Sequence, residues 1–222
     1  MGYISIFDII GPVMIGPSSS HTAGAVRIGN LSKIIYGDTP KELKFTLYNS
    51  YAKTGKGHGT DKGLIAGILG LQVDDTRIKE AYEIANEQGL KFKFIHKEST
   101  SRHPNAVDIE FISPTQMKIS ADSLGAGEVR ITNINGFNVD LRGNLNTLLL
   151  VYKDTPGVIW QVTKLLQEKN INIATLKCDR NAKGADASMS ICIDGEIPAD
   201  IVEKLSTLPN MYIIRSIEAL KK

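Results

Sequence analysis

Cysteine is scarce in this chain: Cys178 and Cys192 are the only two among 222 residues. No disulfide framework can be built from them, and the number fits a reducing compartment. Because a [4Fe-4S] cluster takes about four thiolates, any such cluster would have to be held by another polypeptide. Long apolar runs are missing as well. Runs such as Leu148-Leu149-Leu150-Val151 and Ile68-Leu69-Gly70-Leu71 fall far short of the ~20 residues that span a bilayer, so no membrane partner is expected. Met1 to Asp8 has no basic residue before its apolar ones and meets an acid at Asp8, which is not a secretory signal; the expected address is the cytoplasm. Charge of one sign is also lacking. Twenty-six basic against twenty-four acidic side chains leave +2, without the basic stripe of a nucleic-acid binder.

What is present is an ordinary globular composition, 42% hydrophobic and 23% charged, in a chain long enough to bury roughly 70% of its unfolded surface. The spacing of Val26, Ile28, Leu31, Ile34 and Ile35 predicts a helix from Ala23 to Tyr36, starting right after His21. Lys44 to Tyr48 reads as a strand, Gly63 to Leu71 as a short buried helix, and Asp75 to Gln88 as an amphipathic helix stopped by Gly89. Segments 91–96, 106–112, 116–121, 128–134 and 137–141 read as strands, with Asn135-Gly136 as a hairpin turn. The rhythm changes near Gly143-Asn144, which sets the expected domains at 1–145 and 146–222. The second part runs strand (Thr147 to Tyr152), helix (Gly157 to Glu168), strand (Asn172 to Asp179), strand (Ala187 to Ile193), helix (Ala199 to Leu208) and strand (Met211 to Ile217). That β-α-β-β-α-β order builds a ferredoxin-like sandwich. The stripe Val158, Ile159, Val162, Leu165 and Leu166 should pack on its sheet. A hairpin turning at Lys183-Gly184 sets Cys178 opposite Ser188 or Met189 and not Cys192, so both cysteines read as small core residues.

Four motifs could carry chemistry. In Gly16-Pro17-Ser18-Ser19-Ser20-His21-Thr22-Ala23-Gly24, three hydroxyls and an imidazole precede a helix whose free N–H groups favour an anion such as a carboxylate. A simple N-cap would explain one serine and leave the others without a reason. In Lys53-Thr54-Gly55-Lys56-Gly57-His58-Gly59-Thr60-Asp61-Lys62 the glycines open His58 to a ligand, a setting for a general acid or base, although a surface loop would read the same. The spacing is not that of a Walker phosphate loop. Ser101-Arg102-His103-Pro104-Asn105 is a turn at a strand entrance, with His103 held extended by Pro104. Asp154-Thr155-Pro156-Gly157-Val158, with Asn172 opening the next strand, offers a helix N-terminus to a small carboxylate or is a plain β-α turn.

The last motif and its element order, over about residues 146 to 222, resemble the ACT domain, a ligand-sensing module that commonly pairs across subunits and binds amino acids at the interface. The resemblance implies effector contacts at Tyr152, Asp154, Gly157 and Asn172, with Asp154 standing where Asn is frequent. Gly16 to Gly24, the Ala52 to Lys62 run and His103-Pro104-Asn105 resemble the beta chain of the iron-sulfur L-serine dehydratases (L-serine ammonia-lyases), in the two-subunit form. The fold implied is α+β: a mixed α/β domain like the allosteric substrate-binding domain, then the ACT domain. The reaction implied is dehydration of L-serine to aminoacrylate, which hydrolyses to pyruvate and ammonia, a step of amino-acid degradation able to feed gluconeogenesis. It would run in the cytoplasm in a heterodimer with an alpha chain that ligates the [4Fe-4S] cluster, without pyridoxal phosphate and with no metal ligand on this chain. His58, as base, His21 and His103 would surround the reacting centre, with Ser18, Ser19, Ser20, Thr22, Lys62 and Asn105 binding substrate. The alternative is a non-catalytic amino-acid sensor, since a related fold serves phosphoglycerate dehydrogenases as a regulatory domain.

Overall fold

A computed structural model describes residues 13–220; the reading of Met1 to Asp8 lies outside them. The chain divides into two compact units, one ending at Thr132 and one beginning at Asn133.

In the first unit a single π turn, Ser19–Ala23, runs directly into helix α1, Gly24–Tyr36. Gly37 closes α1 at φ 73°, its N–H donating to the Lys33 carbonyl, the left-handed stop that glycine makes without penalty. Then follow β1 (Glu42–Tyr48), a short helix α2 (Asn49–Thr54), and α3 (Thr60–Leu69). The helix expected over 75–88 divides: a 3-10 turn (Thr76–Glu80) precedes α4 (Ala81–Glu87). Asp75 ties that turn down, accepting from Arg77 N at 2.9 Å and from its guanidinium at 3.0 and 2.7 Å. β2 (Lys91–Lys97), β3 (Ala106–Ser113) and β4 (Met117–Gly125) follow, and β5 (Glu128–Ile134) runs across the end of the unit at Thr132.

These strands stand in the order β2-β1-β3-β4-β5. β1 and β2 are parallel, joined through the helices, whereas β1–β3 and β3–β4 are antiparallel. Alternation turns Leu43, Phe45 and Leu47 of β1, with Ile109 and Phe111 of β3 and Ile119 of β4, into a buried apolar layer. Helices α1 and α3 cross at glycines. A Cβ on Gly67 would lie 2.1 Å from the Val26 carbonyl oxygen, and one on Gly29 2.5 Å from that of Leu64. The crossing holds the start of α1 and the loop before α3 together, and both carry candidate site residues.

In the second unit Asn135 and Gly136, at φ 50° and 93°, supply the two left-handed residues of a type I′ turn. β6 (Phe137–Leu141), β7 (Asn146–Lys153), α5 (Val158–Glu168), β8 (Ile173–Arg180), β9 (Asp186–Ile193), α6 (Ala199–Ser206) and β10 (Met211–Ile217) follow. The antiparallel sheet β10-β7-β9-β8 is the ferredoxin-like arrangement expected, so the α+β class and the β-α-β-β-α-β order hold. Val158, Val162 and Leu166 of α5 pack with Leu148, Leu150, Met189 and Ile191. Ile159 corrects the expected stripe: it is 48% exposed beside Trp160, itself 62% exposed. Cys178 pairs with Met189 and Cys192 with Thr175, so no disulfide bridges them. Cys178 is exposed, not the core residue expected, because β8 is an edge strand with a neighbour on one side only.

Candidate functional site

The π turn is built by the serine loop. Ser18 Oγ accepts from His21 N at 3.1 Å, and the Ser18 carbonyl accepts from Thr22 N at 2.8 Å. Ser18 is therefore the cap. The next residues, Ser19 and Ser20, open the helical segment, where backbone N–H groups have no helical acceptor and suit an anion. Thr22, only 2% exposed, donates its hydroxyl to the His58 carbonyl at 2.7 Å. It ties the glycine loop to the serine loop.

That strap brings two predicted histidines together. The rings of His21 and His58 lie 5.0 Å apart between centroids, and that of Tyr51 lies 5.2 Å from His21. His21 Nε2 sits 3.0 Å from Thr54 Oγ1 and 3.3 Å from Ser50 Oγ. His58 is exposed, and its Nδ1 lies 2.9 Å from the Thr54 carbonyl oxygen. Since a carbonyl only accepts, Nδ1 carries the hydrogen of neutral His58, and Nε2 keeps the lone pair a base needs. Burial and the neighbouring His58 hold His21 below its ordinary pKa of 6.5, against an opposing pull from the Ser50 carbonyl. A base depressed in the folded state binds its proton more weakly than when unfolded, so this stability is present above pH ~6.5 and is lost as pH falls. Between pH 8 and pH 5 the melting temperature of the wild type should therefore drop further than that of His21→Gln; equal drops would contradict this.

His103 joins through its neighbours. The Pro104 carbonyl accepts from Ser50 N at 2.8 Å, at the start of the helix whose Ser50 and Thr54 touch His21. Asn49, at φ 51°, clamps the same turn: its Nδ2 donates to the Ser99, Arg102 and His103 carbonyls at 2.9, 3.1 and 3.3 Å. Behind it Arg102 reaches Asp108 at 2.8 Å and lies over the Tyr48 ring at 4.5 Å. Burial alone would raise the Asp108 pKa, but bonds from Ser120 and Arg102 and the Lys118 charge outweigh it and hold the carboxyl below its usual range. His103 Nδ1 accepts from Asn105 N at 3.1 Å, which leaves the hydrogen of its neutral ring on Nε2. Asn105 Oδ1 is buried without a hydrogen-bond partner, and the Asn105 carbonyl accepts from Ser123 N at 3.0 Å. Ser123 Oγ and Tyr51 Oη in turn donate to the Ser20 carbonyl at 2.8 and 2.9 Å.

Ser19, Ser20, His21, His58, His103 and Asn105 thus form one linked group. Lys62 is not brought in: α3 carries its ammonium to the Lys79 carbonyl, 2.6 Å away, and over the Tyr82 ring. Asn49, Ser50, Thr54 and Ser123 were not singled out from sequence. Thr54 lay inside the motif around His58, but a hydroxyl in a glycine-rich run carries no signal of its own.

In the second unit Tyr152, Asp154 and Gly157 line a cleft of about 460 Å³ with Trp160, Arg180 and Lys183. Asp154 Oδ2 accepts from Arg180 at 3.1 Å and from Gly184 N at 3.2 Å. Burial, then Cys178, raises the Tyr152 pKa to about 12. Asn172 lines a separate concavity and bonds Asp194 at 2.8 Å. Among the described residues no group of three or more His, Cys, Asp or Glu could hold a metal ion, and no helix is long and apolar enough to cross a membrane.

The family model described as serine dehydratase beta chain matches residues 5–89. A probable L-serine dehydratase beta chain of Bacillus subtilis (strain 168) is 40% identical over 98% of this chain and 99% of its own. An L-serine dehydratase beta chain of Peptoniphilus asaccharolyticus is 40% identical over 86% and 87%. A D-3-phosphoglycerate dehydrogenase of Bacillus subtilis (strain 168) is 30% identical over 71% of this chain and 30% of its own. The ACT domain of a GTP pyrophosphokinase from Chlorobium tepidum, 20% identical, covers 32% of this chain and 95% of its own at a TM-score of 0.28.

Proposed function

This chain belongs to the L-serine dehydratase beta-chain family, and from that premise we propose that it supplies the proton-moving half of an L-serine ammonia-lyase active with an alpha chain. The carrying observation is His58, whose Nδ1 bond to the Thr54 carbonyl leaves Nε2 free as a base beside His21. In this reading the helix start at Ser19 and Ser20 holds the substrate carboxylate, and the orphaned Asn105 Oδ1 accepts from the substrate ammonium. His103 offers its Nε2–H to a substrate oxygen. His58 Nε2 takes the α-proton, the C–H electron pair becomes the Cα–Cβ double bond, and hydroxide departs from Cβ with the C–O pair. The aminoacrylate released tautomerises and hydrolyses to pyruvate and ammonia. A positioned base of this kind contributes roughly 10²- to 10⁴-fold.

The residues of this chain do not fit a [4Fe-4S] cluster, since its two thiols sit on different strands, Cys178 opposite Met189 and Cys192 opposite Thr175. The cluster is accordingly proposed for the alpha chain, and no step is derived through it. The address proposed is the cytoplasm. Domains at 1–145 and 146–222 remain the proposed division, with the second sensing an amino acid in the Tyr152–Asp154–Gly157 cleft, near a paired interface. The sensor alternative has the partial match to a phosphoglycerate dehydrogenase in its favour, but a sensor has no need of imidazoles held with open lone pairs.

Pyruvate formation from L-serine should be assayed anaerobically for this chain, for a cluster-bearing alpha chain, and for the mixture. Turnover in the mixture alone is expected; serine binding with no turnover in any combination would establish the sensor instead.

A further inference from the structure

Thr54 touches both imidazoles with different atoms. Its carbonyl oxygen accepts from His58 Nδ1 at 2.9 Å, and its hydroxyl lies 3.0 Å from His21 Nε2. A hydroxyl has one hydrogen to give, and that of Thr54 goes to the Ser50 carbonyl, four residues back, at 2.9 Å. Its lone pairs are what face His21, so the His21 nitrogen on that side must be the donor. From these three contacts we infer that Thr54 is a positioning residue that sets the tautomers of both histidines: Nε2–H on His21 and Nδ1–H on His58.

The consequence is chemical. With those nitrogens occupied, the lone pairs of His21 Nδ1 and His58 Nε2 are the two left open, on rings whose centroids are 5.0 Å apart. The short helix α2 is the device that does this. Asn49 and Ser50 fasten its start to the 99–104 turn, and Thr54 ends it with a side chain and a carbonyl directed to different rings. If the hydroxyl were absent, His21 would keep Ser50 Oγ, 3.3 Å from Nε2, and the pull of the Ser50 carbonyl. The Ser50 hydroxyl can donate as well as accept, so it does not select a tautomer.

The test compares Thr54→Val, which keeps the β-branch and the carbonyl but loses the hydroxyl, with Thr54→Ser, which restores it. Imidazole nitrogen shifts are recorded by NMR on the full chain above the histidine titration range and assigned with His21→Gln and His58→Gln. Wild type and Thr54→Ser should show His21 as Nε2–H and His58 as Nδ1–H. Thr54→Val should keep the His58 form and weaken the His21 preference. A His21 ring carrying its hydrogen on Nδ1 in the wild type, or unchanged in Thr54→Val, would overturn the inference. The catalytic weight of this device rests on the proposed function, and a second arm separates the two. In the complex with the alpha chain, kcat of Thr54→Val should fall about tenfold, with KM little changed and Thr54→Ser near wild type. Normal turnover together with the expected nitrogen shifts would uphold the tautomer assignment and count against the histidines as proton carriers.

Discussion

Replacing His58 with Gln should lower turnover of the assembled complex by roughly 10²- to 10⁴-fold, the contribution of a positioned base, while the complex and its cluster absorbance stay intact. The side chain is exposed and packs into no core, so folding depends little on it. Glutamine is of similar size and its amide can still donate to the Thr54 carbonyl that now accepts from Nδ1 at 2.9 Å. What it lacks is a nitrogen lone pair able to hold a proton near neutral pH. KM should move less than kcat, because Ser19, Ser20 and Asn105, not His58, are assigned the substrate's charged ends. Turnover within a few-fold of wild type would remove His58 from the role of base and turn attention to His21, whose Nδ1 is the other open lone pair.

The second large effect should come from a residue with no chemistry at all. Gly67→Ala places a methyl group 2.1 Å from the Val26 carbonyl and close to the Gly29 Cα, at 2.7 Å. Both obstacles are backbone, so no side chain can rotate away, and α1 and α3 must separate. Overpacking of this kind costs about 3 kcal/mol, or roughly 6 to 12 °C in melting temperature for a chain of this size. Separation also moves the start of α1 away from the loop before α3, so the Thr22 hydroxyl loses its hold on the His58 carbonyl, now at 2.7 Å. Turnover of the surviving folded fraction should therefore fall as well. A melting temperature within 2 °C of wild type would show that the helices are not in backbone contact.

The elements whose period is long enough to repeat were legible in the sequence. Helix α1, found by its apolar spacing, is buried on nearly every side, the two-residue alternation of β4 buries one face, and Asn135-Gly136 has the backbone freedom its turn requires. Helix α2 was not legible: six residues give no stripe, and Tyr51, fully buried, is its one sign of a core. Its loss from the sequence reading hid Ser50 and Thr54, the partners of His21. Lys62 shows the opposite failing. It is a near neighbour of His58 in sequence, but it lies in the first turn of α3, which directs its ammonium to the Lys79 carbonyl. Thr22 was expected among the substrate ligands for its hydroxyl, and the structure uses that hydroxyl to hold the His58 loop. For Ile159 and Cys178, periodicity stated which residues could face a core but not how far the neighbouring elements extend to cover them.

The central claim is that this chain removes the α-proton of serine, and L-serine carrying deuterium on its α-carbon tests that most directly. Turnover of protiated and deuterated substrate should be compared for wild-type and His58→Gln complexes under identical conditions. The account predicts that the residual turnover of His58→Gln is slowed by deuterium more than that of the wild type, because cleavage of the C–H bond is the step the substitution impairs. Equal isotope effects in the two complexes, with His58→Gln turning over normally, would show that His58 does not take the α-proton and contradict it.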